Sequence, residues 1–139
     1  MDLGINYPKI VDETYYIRSY EQQRIWGKAL MDSRLCLDGK CIFSMITQAD
    51  MEAYHVTSKE LDGIVSELRS TVGVEVSVFL YQTGEDRYKI SLRSASYVDV
   101  AKIAQHYGGG GHVRAAGASV QGDPEQILQK LLIQIQEQL

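Results

Sequence analysis

The apolar positions of this chain change period several times, and each change marks an element. Asn6-Tyr7-Pro8 opens a short helical pattern carrying Ile10, Val11, Thr14 and Tyr15. Ser19, with Gln22 three residues on, reads as a capping box, and Ile25, Trp26, Ala29 and Leu30 then fall on one helical stripe. Leu35 to Leu37 and Cys41 to Ile46 are apolar runs around Asp38-Gly39, which predicts a hairpin with a two-residue turn. Thr47 with Asp50 caps a short helix. Thr57 with Glu60 caps a longer one through Leu61, Ile64, Val65 and Leu68, ended by Gly73.

The period then drops to two. Val74, Val76, Val78 and Leu80 alternate with Glu75, Ser77 and Phe79; Gly84-Glu85-Asp86 is a turn; Tyr88, Ile90 and Leu92 lie on the return strand. That alternation puts Lys89, Ser91 and Arg93 together on the face opposite the apolar set. Asp99 opens a helix through Val100, Ile103 and Ala104 that Gly108 terminates. Ala118-Ser119-Val120 is a short strand, and Asp123-Pro124 starts a last helix carrying Ile127, Leu128, Leu131, Leu132 and Ile135. The pattern is α+β, an α/β mixed sheet: one hairpin, a mostly separate second hairpin, and helices on one sheet face.

Composition narrows the picture. A chain of 139 residues suits one domain with a sizeable core. The formal net charge of −4 argues against coating long nucleic acid through a broad basic face, but not against a focused anion site. No secretory pattern follows Met1 and no apolar run is long enough to span a membrane, so a cytoplasmic protein is expected. Cys36 and Cys41 flank the turn and face each other in that register; the alternatives are a redox pair or two reduced thiols, and a reducing compartment favours the second. His55, His106 and His112 are scattered, and Asp50, Glu52 and His55 form one local cluster that reads as a solvated helix face, so no metal site is expected in this chain.

The segment that carries chemistry is Gly108 to Gly117. Four consecutive glycines are costly in backbone entropy, and one C-cap explains only the first. Glycine lets backbone approach a ligand and turn N–H groups toward an anion. Val113-Arg114-Ala115-Ala116 reads as a helix start, which sets His112 at a helix N-terminus, a phosphate-favouring place. The run is not a Walker loop, because no Lys-Ser/Thr follows, nor a Rossmann fingerprint, because no strand precedes it.

Gly109-Gly110-Gly111-His112-x-x-Ala115-Ala116-Gly117 resembles the GGGHxxAAG signature of the DHH-associated domain of DHH-family phosphoesterases. Ser91-Leu92-Arg93-Ser94, then Val98-Asp99-Val100 and a helix into the glycines, resemble that family's spacing too. Within the family the likeness is greatest to nano-RNase enzymes that also hydrolyse 3′-phosphoadenosine 5′-phosphate (pAp), often labelled exopolyphosphatase-related. The resemblance implies residues 1–34 as the tail of a DHH domain and its connecting helix, and 35–139 as the DHH-associated substrate-binding domain. It implies a manganese-dependent phosphodiesterase whose two manganese ions sit in a DHH domain, with short RNA or DNA oligonucleotides or pAp as substrate. This chain carries no Asp-His-His, so a C-terminal fragment of a hydrolase, inactive alone, is expected. The roles implied are phosphate contact for His112, backbone donors for Gly109, Gly110 and Gly111, and a phosphate or base grip for Arg93. Lys89 and Arg114 are weaker candidates, and Tyr107 is a candidate stacking surface. The alternative is a non-catalytic nucleic-acid-binding module akin to the glycine-rich domain of alanyl-tRNA synthetases.

Overall fold

The structure, a computed structural model, describes residues 17–139; the helix expected around Ile10 to Tyr15 lies outside the described residues. The elements run α1 (Tyr20–Met31), β1 (Arg34–Cys36), β2 (Cys41–Ile46), α2 (Gln48–Ala53), a 3₁₀ turn (Ser58–Leu61), α3 (Ile64–Arg69), β3 (Val76–Gly84), β4 (Arg87–Ser94), α4 (Val100–Gln105), β5 (Gly110–His112), β6 (Ala115–Gln121) and α5 (Pro124–Gln136). All six strands join one sheet in the order β1-β2-β3-β4-β6-β5, in which only β2 and β3 run parallel. The α+β mixed-sheet class expected from the sequence is the one observed.

The two hairpins are therefore not separate, and helices cover both faces rather than one. On the first face Val76, Val78, Leu80, Tyr88, Ile90 and Leu92 meet Ile103 of α4 and Ile127, Leu128, Leu131 and Ile135 of α5. On the second, Ile42, Ile46 and Phe79 meet Ile25, Trp26 and Ala29 of α1 with Leu61, Ile64, Val65 and Leu68. A strand sandwiched this way is buried on both sides, which is why β2 and β3 are apolar in near-continuous runs. The polar residues that do enter this core are bonded: the Ser44 hydroxyl donates to Ala29 O at 2.6 Å and that of Ser77 to Val65 O at 2.8 Å.

Most caps fall where the sequence puts them. Ser19 accepts from the Gln22 amide at 3.0 Å, but the Gln22 side chain donates to Glu60 O at 3.3 Å instead of closing the box. The helix expected from Thr57 breaks after one 3₁₀ turn. Gly63 has φ +102, and a Cβ there would lie 3.0 Å from the Trp26 ring; the chain kinks so that the indole can pack, its Nε1 donating to Glu60 O at 2.7 Å. The first hairpin loop spans four residues, with Leu37, Asp38 and Gly39 all at positive φ, and Cys36 pairs opposite Cys41. Both thiols are free, and burial pushes Cys41 up to about 12.

Candidate functional site

The glycine run begins as a helix stop. Gly108 has φ +78; its N–H donates to Gln105 O at 3.1 Å and that of Gly109 to Ala104 O at 3.0 Å, the paired bonds of a Schellman cap on α4. The chain then becomes strand. β5 pairs antiparallel with β6, with Gly110 opposite Gly117, Gly111 opposite Ala116 and His112 opposite Ala115. The helix start expected at Val113 does not form, and His112 is not at a helix N-terminus. The reason is long-range: Ala115–Gln121 pairs with Arg87–Arg93 over seven positions, satisfying an edge of β4 that would otherwise be bare. The strand read at Ala118–Val120 accordingly starts at Ala115.

The glycines divide by environment. A Cβ on Gly109 would sit 2.1 Å from Gly117 O, and one on Gly111 would sit 2.5 Å from Ala115 O. Both are needed so that β5 can lie against β6. Gly110 has nothing within 4 Å of where a Cβ would be. Close strand packing thus accounts for two glycines and leaves Gly110 for another reason.

The register gathers the remaining candidates. Residues directly opposite in adjacent strands share a face. His112 opposes Ala115, Ala115 opposes Arg93 and Arg93 opposes Ser77, so His112 and Arg93 stand in one row on the second face. Two strand spacings separate them, about 9–10 Å between backbones. Ser91, Gly117 and Gly110 form the next row, and Lys89 with Ser119 the one after. Over β6 and β5 this face has no buried residue: Ala115, Gly117 and Gly110 are half-buried, Ser119 and His112 exposed. The result is a polar half-sheet beside the apolar half that α1 and α3 cover.

Arg93 borders a groove of about 530 Å³ between α1 and the segment from the 3₁₀ turn through α3, whose walls include Arg18, Gln22, Trp26, Lys59, Gly63 and Glu67. The Arg18 guanidinium lies 3.9 Å from the centre of the Trp26 ring. Lys89 and Ser91 border a smaller neighbouring groove with Tyr81, Ser58 and Asp62. Among the described residues, Arg93, Lys89 and His112 make no side-chain hydrogen bond or ion pair, and the groove walls hold Arg18, Lys59 and Arg93 against Asp62 and Glu67.

Other candidates are otherwise engaged. The Arg114 guanidinium donates to Ser94 Oγ at 3.0 Å and to Val98 O, holding the β5–β6 tip against the 94–98 loop. The Tyr107 hydroxyl bonds Gln134 Oε1 of α5 at 3.1 Å, and burial pushes its phenol up. Asp50 belongs to the Thr47 capping box and lies 3.7 Å from Lys28. Among the described residues no three His, Cys, Asp or Glu side chains group as a metal site, and no helix is long and apolar enough to cross a membrane.

Sequence reasoning passed over Glu75, which alternation had placed with Ser77 and Phe79. It is 5 % exposed. Its carboxylate accepts from Ser96 N at 3.1 Å, Tyr97 N at 2.8 Å, Val98 N at 3.0 Å and Ser96 Oγ at 2.8 Å. Burial pushes the carboxyl up, but the Val98, Tyr97 and Ser96 donors outweigh it and hold it below the ordinary value. The visible signal was an acid directly before an apolar strand with Ser96-Tyr97 downstream, too weak to single out.

A mixed six-stranded sheet with helices on both faces and a Gly-Gly-Gly-His edge ribbon defines a recognisable domain class. Residues 38–139 match the family model of the DHHA1 domain, and the chain belongs to that family. It is 40 % identical over 82 residues to the bifunctional oligoribonuclease and PAP phosphatase NrnA of Thermus thermophilus. That stretch is 58 % of this chain but 25 % of the relative. In three dimensions it is similar to an exopolyphosphatase-related protein from Bacteroides fragilis, with a TM-score of 0.82 at 26 % identity over 96 % of this chain and 39 % of that one. A pGpG-specific phosphodiesterase from Vibrio cholerae shares the fold, with a TM-score of 0.60 at 11 % identity over 86 % of this chain and 40 % of that one. The chain thus spans about a quarter to two fifths of the length of these proteins.

Proposed function

We propose that this chain is the substrate-holding part of a metal-dependent phosphodiesterase acting on short oligonucleotides or on nucleotide phosphates such as pAp. The observation that carries the reading is the row His112–Ala115–Arg93 on an uncovered sheet face. A guanidinium offers paired N–H donors that match a phosphate. An imidazole adds a donor and, when protonated, a charge. Rising from one face about 10 Å apart, the two can hold a ligand larger than a single phosphate. Gly110, beside His112 on β5 in the adjoining row and without a side chain, keeps the backbone open to that ligand.

The relatives support this reading, since one is named for oligoribonuclease and PAP phosphatase activity and the neighbour for pGpG. Two manganese ions, held by a DHH domain outside this chain, would supply the activated water. Here His112 would meet a non-bridging oxygen near the reacting phosphorus, and Arg93 would grip the rest of the substrate. Lys89 extends the same face. Arg114 serves the fold of the ribbon rather than the ligand, and we place the protein in the cytoplasm.

Titration of the chain with pAp or a diadenosine dinucleotide, followed by NMR, tests this. Amide shifts at Gly110, Gly111, His112 and Arg93 are expected. Arg93→Ala and His112→Ala should each weaken binding about 10- to 100-fold, the size of a lost charge-assisted hydrogen bond. Unmoved amides at millimolar ligand, or unaltered affinity in both variants, would refute the reading. Tight, steeply salt-dependent binding of long RNA would indicate a nucleic-acid module instead.

A further inference from the structure

β5 is only three residues long, lies at the sheet edge and follows two further glycines, Gly108 and Gly109. Such a ribbon has little intrinsic order. Its hold on the fold, beyond β6 and the α4 cap at Gly109, comes at the hairpin tip. Val113 O accepts from the Val100 amide at 2.9 Å, Arg114 O accepts from the Ser94 amide at 3.0 Å, and the Arg114 guanidinium donates into Ser94 and Val98. Ser94 and Val98 lie in the 94–98 loop, and Val100 is the first residue of α4 just beyond it.

The middle of that loop is held by one side chain, while Arg69 reaches Ser94 O at its start at 3.5 Å. The Glu75 carboxylate takes the four donors of Ser96, Tyr97 and Val98, and Ala95 N donates to Glu75 O at 2.8 Å. Among the described residues no Lys or Arg pairs with it. A buried carboxylate compensated only by N–H and O–H groups binds those groups strongly, because each bond is charge-assisted and water is excluded. The two groups meet at Val98, whose N–H donates to Glu75 and whose carbonyl accepts from Arg114, so a negative and a positive group hold the same peptide stretch.

We propose that Glu75 is a positioning residue for the ligand face: through the 94–98 loop and Arg114 it sets the place of His112 relative to Arg93. This rests on the binding reading above for its function, though not for its geometry. Arg93 directly precedes Ser94, so one end of the loop continues the strand that carries the guanidinium, while its other contacts carry the imidazole's hairpin. Glu75 touches neither side chain and no ligand.

The test uses the whole 139-residue chain. In Glu75→Gln, amide hydrogen exchange at His112 to Arg114 should accelerate at least about tenfold while amides of β3 keep their protection. Affinity for pAp should fall by a similar factor. Protection unchanged at the hairpin tip, or lost equally in β3, would overturn the proposal, the second because Glu75 would then serve stability alone. Should Glu75→Gln not fold, Arg114→Met takes its place with the same expected pattern, and Arg114→Lys should recover part of the lost protection and affinity. Wild-type protection and affinity in Arg114→Met would likewise overturn it. A wild-type chain that does not bind pAp refutes the binding reading instead, and the exchange pattern still decides the positioning.

Discussion

Alanine substituted in turn at Gly110 and Gly111 separates the two roles that a glycine run can play. At Gly111 the backbone has φ +147, and the new methyl would lie 2.5 Å from Ala115 O and 2.7 Å from Ala116 Cα. Those contacts are with backbone of the paired strand, so relief requires β5 to move. Overpacking of this kind costs about 1–3 kcal/mol, and a non-glycine residue held in a glycine-only conformation adds about 1–3 kcal/mol. Together they remove roughly 2–6 kcal/mol from a stability of ordinary size, about 5–15 kcal/mol. For a domain of this size the melting temperature should drop by roughly 8–24 °C. Local fraying of β5 is the other outlet, and it would show as lost amide protection from Gly110 to His112. At Gly110 the methyl meets nothing within 4 Å. The melting temperature of Gly110→Ala should stay within about 3 °C of wild type, yet the methyl stands in the row of Gly117 and Ser91 on the proposed ligand face. Calorimetry with exchange measures the first effect and pAp titration the second. If Gly111→Ala melts and exchanges like wild type, or if Gly110→Ala is the variant that unfolds, the strand-packing account of these glycines is wrong.

Three further outcomes follow from the structure. Because the Glu75 carboxyl is held below its ordinary value of 4.5, its contribution to stability is full above that pH and is lost as pH falls through the depressed value; thermal melts from pH 7 to pH 3 should therefore decline less steeply in Glu75→Gln than in wild type, and parallel curves would contradict this. Cys41 is wholly buried with its thiol pushed up to about 12, whereas Cys36 is part-exposed, so iodoacetamide should modify Cys36 first and reach Cys41 only on unfolding, as peptide mass mapping would show. Leu131→Ala empties a fully buried position between α5 and the sheet and should cost about 2–5 kcal/mol by urea titration.

Element identity was written locally where one signal acts alone. Asp99, Asp123 and Thr47 each have a short polar side chain ahead of a helical stripe, and each caps a helix as expected. Period-two alternation likewise set Lys89, Ser91 and Arg93 on one face of β4. The Gly-Gly-Gly-His run marked the candidate segment before any geometry was known. The misreadings arose where a distant segment decided the outcome. Val113 to Ala116 has adequate helix propensity, but the unpaired edge of β4 recruits Ala115 and Ala116 as strand and leaves Val113-Arg114 as the hairpin turn, and a ladder of long-range bonds outweighs a few tenths of a kcal/mol of propensity per residue. The stripe from Leu61 to Leu68 is helical throughout, yet the Trp26 ring against Gly63 breaks it.

Pattern along the chain thus set the α+β class and the faces of β4, because each depends on neighbours a few positions apart. Which strands adjoin is a matter of contacts between residues far apart in the chain. That order, β4-β6-β5, is what sets His112 in the row of Arg93, gives Gly109 and Gly111 to packing, turns Arg114 inward and buries Glu75 beneath the loop that joins them.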